Sequence, residues 1–259
     1  MTIGMLSVMF AALLDVLAPQ VCLGCGLAHM GRVCDGCLAG WVGSVASRMP
    51  VPVPDGLPRC WSAGDYSGSL REAILAYKER GQTGLAVPLG DVLAYTALTA
   101  LAALGGRAGP SGRLLAGGWG GTFGRDRGVV VVPVPSAGRA VRGRGHDPVG
   151  RLGELAAARM RAVGVGAVLV PGLAQARRVA DQAGLSATER ADNLRSSLRV
   201  TDRLRGAPGA SAVLVDDIVT TGATLAEAAR ALRAAGWDVV AAVTLAATRR
   251  RSCNALPSR

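Results

Sequence analysis

The chain has 259 residues, half of them hydrophobic, which suits one large domain or one domain with a small module. Only 3% of the residues are aromatic, so the core must be built mainly from alanine, valine and leucine. The net charge of +11 favours anionic partners such as phosphates, nucleic acid or acidic lipid without choosing among them. No long internal repeats, heptads or helix-turn-helix signals occur, which argues against those architectures.

The apolar stretch at residues 5–14 is too short to cross a membrane, since a spanning helix needs about 20 residues. Asp15 interrupts it. No basic residue precedes it and no Ala-x-Ala cleavage site follows, so a signal peptide is not indicated. We therefore expect a packed N-terminal helix, no membrane span and a cytoplasmic protein.

Four of the six cysteines form two Cys-x2-Cys pairs, which are Cys22 with Cys25 and Cys34 with Cys37. Two such pairs offer four thiolates to one tetrahedral ion, so the pattern predicts a structural zinc site. The alternative is a pair of redox dithiols or disulfides. Disulfides are uncommon in the cytosol, which favours zinc. His29 lies between the pairs and could substitute for a cysteine, but four thiolates already fill the site.

Composition suggests where the domains divide. Four prolines within residues 49–58 indicate a linker over residues 49–60. Residues 1–48 would then form the N-terminal helix and zinc module, and residues 61–259 a second domain. Ten glycines between residues 105 and 128 predict a flexible insertion in that second domain.

Helices and strands are expected to alternate through the second domain, which predicts a parallel sheet in an α/β fold. The expected helices are one carrying Ile74 and Lys78 and ending at Gly81, one over 87–104, one over 148–163, a capped one from Ser186 that includes Arg190 and Asn193, and one from Leu225 to about Gly236. The expected strands lie at 129–134, 168–170, 213–215 and 238–245.

A glycine-rich basic loop follows the strand at 129–134. Ser136, Arg139, Arg142 and Arg144 lie on it. Guanidinium groups just past a strand end suit a pyrophosphate or the phosphates of nucleic acid. The alternative is a solvated basic loop.

The strand at 213–215 is followed by two acids and a turn rich in hydroxyl groups. Asp216 and Asp217 are expected just past the strand end, at the ligand edge of the sheet. The turn consists of Thr220, Thr221, Gly222, Ala223 and Thr224. A helix beginning there would bind an anion, while the carboxylates would accept hydrogen bonds from vicinal hydroxyls. Together they describe a site for ribose 5-phosphate; an acidic turn with a threonine-capped helix is the alternative.

This segment resembles the phosphoribosyl pyrophosphate (PRPP) signature of type I phosphoribosyltransferases. The resemblance implies that Asp216 and Asp217 bind the ribose hydroxyls and that the threonine-rich turn binds the 5-phosphate. It also implies Mg2+ bound together with PRPP. Purine salvage enzymes of that superfamily have an acid immediately before the Thr-Gly pair, where this chain has Thr220. A 6-oxopurine acceptor is therefore not indicated, and the sequence identifies no catalytic residue.

The order of motifs resembles the ComF family of competence-associated proteins. These motifs are the cysteine pairs, residues 66–71 running to Lys78, Pro133 and Pro135, the Arg-Gly loop at 142–145, Gln182, Arg190 and the PRPP turn. Phe-Asn-Gln is common in the family after the Arg-Gly pair, where this chain has residues 146–148 instead.

The ComF resemblance implies a zinc finger joined to a phosphoribosyltransferase-like domain. It also implies a PRPP-binding protein linked to DNA uptake, with single-stranded DNA and the uptake machinery as partners. The alternatives are an active phosphoribosyltransferase of nucleotide or nucleoside metabolism with an unknown acceptor, and a PRPP-sensing regulator without turnover.

Overall fold

The computed structural model describes residues 20–29, 31–105, 128–135, 147–176, 196–204 and 211–248. Four predictions lie wholly or largely outside these ranges, namely the helix at 5–14, the insertion at 105–128, the basic loop and the capped helix from Ser186. The boundaries at residues 48 and 60 stay predictions.

A six-stranded sheet organises the α/β fold. The strands, with two short hairpins, are β1 (Gln20–Val21), β2 (Ala28–His29), β3 (Ala46–Ser47), β4 (Cys60–Asp65), β5 (Val129–Pro133), β6 (Ala167–Leu169), β7 (Leu173–Gln175), β8 (Leu198–Val200), β9 (Ser211–Val219) and β10 (Asp238–Ala247). The sheet order is β3-β4-β10-β9-β5-β6, and every pairing is parallel except that of β3 with β4. The mostly parallel sheet predicted from the sequence is confirmed.

Helices cover both faces of the sheet. They are α1 (Asp35–Gly43), α2 (Gly68–Lys78), α3 (Ala86–Gly105), α4 (Pro148–Ala162) and α5 (Ala223–Ala234). Val131, Val213 and Val243 point into the core formed with α2, α3 and α4. Leu214 and Val132 point to the opposite face, where α5 and the β7-β8 hairpin pack. Both faces are therefore buried, as expected for a parallel sheet.

Most of the predicted helices and strands are confirmed within a few residues, but the sequence analysis did not predict strand β4. Its sequence, Cys-Trp-Ser-Ala-Gly-Asp, lacks the β-branched residues that mark β5. The structure accommodates its polar Ser62 because that hydroxyl bonds to the hydroxyl of Thr244 on β10, at 2.7 Å. A buried polar group with a partner carries little penalty. The strand is therefore specified by its neighbour and not by its own composition.

Within the part of the chain that the structure describes, one helical segment, Thr83–Leu104, is long and apolar enough to span a membrane by length and composition. However, 61% of its most hydrophobic window is buried inside the fold. Leu89 and Leu93 are fully covered in the core beside α4. A core helix passes the same length test, so this segment carries no evidence for a membrane span.

A buried acid ties the β7-β8 hairpin to α5. The Leu198 amide donates to Glu227 Oε1 at 3.0 Å, and Arg230 Nε donates to Oε2 at 2.7 Å. Burial alone would raise the pKa of Glu227, but the hydrogen bonds from Arg230 and the Leu198 amide outweigh it and lower that pKa. The carboxylate therefore stabilises the hairpin in its charged form.

Glu227→Gln should lower the free energy of unfolding by about 1–2 kcal/mol at neutral pH, because it removes charge-assisted hydrogen bonds. The effect should stay modest since the Arg230 side chain is 47% exposed. The folded pKa lies below the unfolded one, so this stabilisation is present above the unfolded pKa of about 4.3 and is lost as pH falls through the folded value. Urea denaturation from neutral to acidic pH should therefore show wild type and variant converging. Glu72→Gln, on an exposed acid, is the control; a Glu227→Gln deficit independent of pH contradicts the assignment.

Candidate functional site

The two acids of the predicted ribose site lie at the open end of β9. Strand β9 pairs with β10 as far as Val219, but its pairing with β5 ends at Val215. Asp216 and Asp217 therefore lie inside β9. The sequence analysis had placed them just past the end of the strand, and that position was wrong because β9 continues to Val219. The long partner β10 continues the ladder on one side, while the other side opens where β5 ends. This is the ligand edge of an open α/β sheet.

Residues 220–224 form the turn that leads from β9 into α5. Gly222 is the N-cap of α5 and adopts a left-handed conformation with φ of 75°. The Ala223 amide donates to Thr221 Oγ1 at 3.4 Å, and Thr220 is exposed. The first amides of a helix have no intrahelical acceptor and lie at the positive end of its dipole. The turn has the chemistry of an anion site, and phosphate binding there stays a prediction.

Gly222 also touches the proline-rich segment that precedes β4. A Cβ atom added there would lie 2.9 Å from Leu57 Cδ2 and 3.0 Å from Pro50 Cγ. The carbonyl of Gly56 in the same segment accepts a hydrogen bond from Arg233 of α5. Residues 50–57 are thus packed against the turn and α5 rather than free of them.

Asp217 is held by an ion pair. Lys78 Nζ, at the end of α2, contacts Asp217 Oδ2, and the two side chains are 22% and 9% exposed. The Asp217 amide donates to Asp216 Oδ1 at 2.8 Å. Burial, together with the charge of Asp217, raises the pKa of Asp216 well above its usual value. Among the described residues, the site therefore contains two neighbouring acids and one cation.

Lys78 is the site residue that the sequence analysis placed in a motif without giving it a role. Its signal was compositional, because it is the only lysine in a chain whose other strong bases are all arginine. A compact ammonium group can enter a narrow space beside a carboxylate more easily than a guanidinium group. The pairing itself joins α2 to β9 and could not be read from local sequence.

A cavity of about 360 Å³ opens beside Thr220. Its walls include Arg48, Met49, Asp65 and Thr248. Arg48 Nε contacts Asp65 Oδ1 at 3.3 Å, so the basic side chain is fixed to the edge of β4. The cavity thus lies between the segment before β4 and the ends of β9 and β10.

The structure gives a role to Asp147 and Pro148, two of the residues that stand where the ComF family commonly has Phe-Asn-Gln; His146 lies outside the described residues. Asp147 is the N-cap of α4, accepting from the Gly150 amide at 3.1 Å, and Pro148 occupies the first turn. Tyr77 of α2 donates its hydroxyl to the Pro148 carbonyl at 3.2 Å. Asp147 therefore has a capping role. Ser136, Arg139, Arg142 and Arg144 lie outside the described residues.

The four predicted metal ligands come together. The sulfurs of Cys22, Cys25, Cys34 and Cys37 all lie within 4.8 Å of one another. Cys22 and Cys37 are 3.8 Å apart, and Cys25 and Cys34 are 3.7 Å apart. Zinc–sulfur bonds of about 2.3 Å in a tetrahedron require sulfurs about 3.8 Å apart. The cluster therefore fits a structural metal such as zinc.

Backbone amides support the thiolates of this cluster. The Cys34 amide donates to Cys22 Sγ at 3.3 Å, and the Cys37 amide donates to Cys34 Sγ at 3.4 Å. Burial opposes ionisation of Cys22, but backbone hydrogen bonds, including those from Cys25 and Cys34, outweigh it and lower its pKa to about 6. Backbone amides that donate to the sulfurs orient the ligands and favour the metal-binding thiolate form.

The cysteine module shares a core with the sheet. Cys37 and Trp41 of α1 are buried in the same cluster as Leu70 and Ile74 of α2. The Trp41 indole donates to Ser69 Oγ at 3.0 Å. Loss of order in the cysteine module should therefore destabilise the α/β fold.

We expect one zinc ion per chain in reduced, anaerobically prepared protein, measured by elemental analysis. Cys37→Ser should lose the metal. It should also lower the unfolding midpoint by roughly 5 °C or more, because about 2 kcal/mol corresponds to such a shift in 150–250 residues. Cys60→Ala, at a buried thiol outside the cluster, should keep the metal. Metal-free wild type would contradict the zinc assignment.

Gly222→Ala should destabilise the fold by about 1–2 kcal/mol, because alanine is strained at a positive φ and its methyl group meets Leu57 and Pro50. Gly40→Ala is the matched control, since Gly40 is an exposed position in α1 where an added Cβ meets nothing. That control should be neutral or stabilising by up to about 1 kcal/mol. Denaturant unfolding gives both values, and equal effects would contradict the turn geometry.

Comparison with known families gives one match. The family model described as a phosphoribosyl transferase domain matches residues 152–258. The match begins inside α4 and includes β9, the turn at 220–224 and β10. No curated protein matches the chain. The match at residues 152–258 supports the type I phosphoribosyltransferase superfamily, and a four-cysteine cluster precedes it.

Proposed function

We propose that this protein binds PRPP at the open end of β9. The observation that carries the proposal is the placement of Asp216 and Asp217 directly before an anion-binding helix start, at the ligand edge of a parallel sheet. The acids that would bind the diol and the turn that would bind the phosphate are close neighbours along the chain. A ribose 5-phosphate carries both groups on one sugar.

The residues would divide the ligand between them. The amides and hydroxyls of residues 220–224 would bind the 5-phosphate, and Asp216 and Asp217 would accept hydrogen bonds from the ribose hydroxyls. The arginines of the basic loop would bind the pyrophosphate, because that loop follows β5, the neighbour of β9. Magnesium would arrive chelated by the pyrophosphate and would neutralise part of its charge.

Transfer to an acceptor requires space beside the ribose. The cavity next to Thr220 offers such space, with Asp65 and Arg48 in its wall. An acceptor held there would attack the anomeric carbon while pyrophosphate leaves. We propose a phosphoribosyltransferase with an acceptor other than a 6-oxopurine; a PRPP sensor would use the same site without turnover.

The four-cysteine cluster favours a ComF-like protein linked to DNA uptake. A cysteine module packed on a phosphoribosyl transferase domain is the combination that defines the resemblance. The net charge of +11 would assist contact with single-stranded DNA. A deletion strain should therefore lose transformation frequency, and DNA affinity should fall steeply as salt is raised.

Calorimetry with PRPP and Mg2+ tests the site. Asp217→Asn should weaken binding roughly tenfold or more, because one or more charge-assisted hydrogen bonds worth about 1.5–3 kcal/mol are lost. Asp91→Asn is the control, since Asp91 is a surface acid of α3 paired with Arg159. Ribose 5-phosphate should compete with PRPP, and Mg2+ should tighten PRPP more. Equal PRPP affinity in wild type and Asp217→Asn would contradict the proposal.

Pyrophosphate release with a panel of acceptors separates enzyme from sensor. An enzyme should release pyrophosphate only when its acceptor is present, and Asp217→Asn should abolish that release. A sensor should bind PRPP with no release for any acceptor in the panel.

A further inference from the structure

We propose that Lys78 is a positioning residue that aligns Asp217 for the ribose, and that the cysteine module holds Lys78 in place through α2. The inference rests on the proposed function, since it assigns a role within the PRPP site. The family match begins at residue 152 and therefore does not include Lys78.

The ion pair leaves one carboxylate oxygen for the ligand. Lys78 Nζ contacts Oδ2 of Asp217, and Oδ2 is buried. With one oxygen fixed by the ammonium group, the carboxylate plane is restrained and Oδ1 is available to a sugar hydroxyl. Lys78 thus orients the acid without contacting the ribose itself.

Lys78 also supplies the charge that two adjacent acids need. Asp216 precedes Asp217 on β9, and burial together with the charge of Asp217 raises the pKa of Asp216, while the charge of Lys78 lowers it. The residues of β10 beside them, Thr244 and Ala246, are uncharged. In the part of the chain that the structure describes, Lys78 is therefore the cation that faces this acid pair.

Charged groups on the other neighbouring elements already have partners. Asp65, at the end of β4, is paired with Arg48. Arg151, in the first turns of α4, is paired with Glu154. Asp147 caps α4 through the Gly150 amide. The two cations among these groups, Arg48 and Arg151, cannot replace the Lys78 ammonium without losing their own contacts.

Helix α2 is fixed at both ends by the cysteine module. At its start, Ser69 Oγ accepts from the Trp41 indole, and Gly24 packs on Ser69 Cβ so closely that an added methyl group would lie 3.2 Å from it. Beyond its end, Arg32 donates to Gln82 at 2.7 Å. Lys78 is the last residue of this helix. Its position is therefore set by contacts outside the ribose site.

Removing the ammonium group should raise the pKa of Asp216 still further, because the Lys78 charge lowers it, and so favour a proton on the acid pair. PRPP then has to displace that proton in order to hydrogen-bond to a charged carboxylate. Binding coupled to loss of one proton weakens up to roughly tenfold for each pH unit below the pKa of the pair. A residue with a purely structural role would give a loss that does not vary with pH.

The test is calorimetry of PRPP binding at pH 6, 7, 8 and 9, in buffers of different ionisation enthalpy, which reports proton release. Lys78→Met is compared with wild type, and Arg80→Met is the control. Arg80 is exposed two residues further along and pairs with Glu72, so this control removes one positive charge nearby. The wild-type profile accounts for titration of PRPP itself.

We expect Lys78→Met to bind roughly tenfold or more weakly at pH 6–7, to release protons on binding and to recover towards wild type at pH 9. Arg80→Met should follow wild type. A Lys78→Met variant that matches wild type, or that shows the same loss at every pH, overturns the proposal. If wild type binds no PRPP, the proposed function fails and this inference fails with it.

Lys78→Arg keeps the test decisive if Lys78→Met does not fold. Arginine retains the charge but places a larger planar group against Oδ2. We expect the wild-type pH profile with affinity lowered several-fold. An Arg variant that releases protons on binding, or that equals wild type in affinity, overturns the positioning role.

The contact with the module has its own readout. Trp41→Phe removes the indole donor to Ser69 while keeping an aromatic ring in the core. It should weaken PRPP binding measurably, by roughly twofold or more, although Trp41 lies in the cysteine module and not in the ribose site. Unchanged affinity in a folded, zinc-loaded Trp41→Phe protein contradicts the coupling through α2.

Discussion

A buried carboxylate needs a compensating cation, and in this protein the resulting ion pair joins α2 to β9, which are far apart along the chain. Asp217 is 9% exposed and is paired with Lys78. An uncompensated charge there would be costly enough to change its protonation state. The ion pair therefore fixes α2 against the open end of β9. The predicted ribose site depends on where that helix lies.

The cysteine module belongs to the same arrangement. Trp41 and Cys37 are buried with residues of α2, and β3 extends the main sheet beside β4. A structural metal in the module would order α1, and through Trp41 it would order the start of α2. The module is thus best understood as a support for the α/β fold as well as a metal site. The module is far from Asp216 and Asp217 along the sequence, so the sequence alone does not reveal this supporting role.

Sequence reasoning succeeded where the signal was local. Valine-rich β5 and the periodic helices were predicted within a few residues, and the four cysteines were assigned to one cluster that the structure brings together. It failed for β4, whose Ser62 is acceptable only because Thr244 lies opposite it. It also gave Lys78 no role, since its partner is on another element. Pairings between elements depend on packing, and neither composition nor periodicity encodes them.

The central claim is that the open end of β9 binds the ribose phosphate of PRPP. A crystal structure of the protein with PRPP and Mg2+ tests it most directly. We predict the 5-phosphate against the amides of residues 222–224 and a ribose hydroxyl within hydrogen-bonding distance of Asp217 Oδ1, with Lys78 still on Oδ2. PRPP bound elsewhere, or a ribose turned away from both acids, would contradict the account.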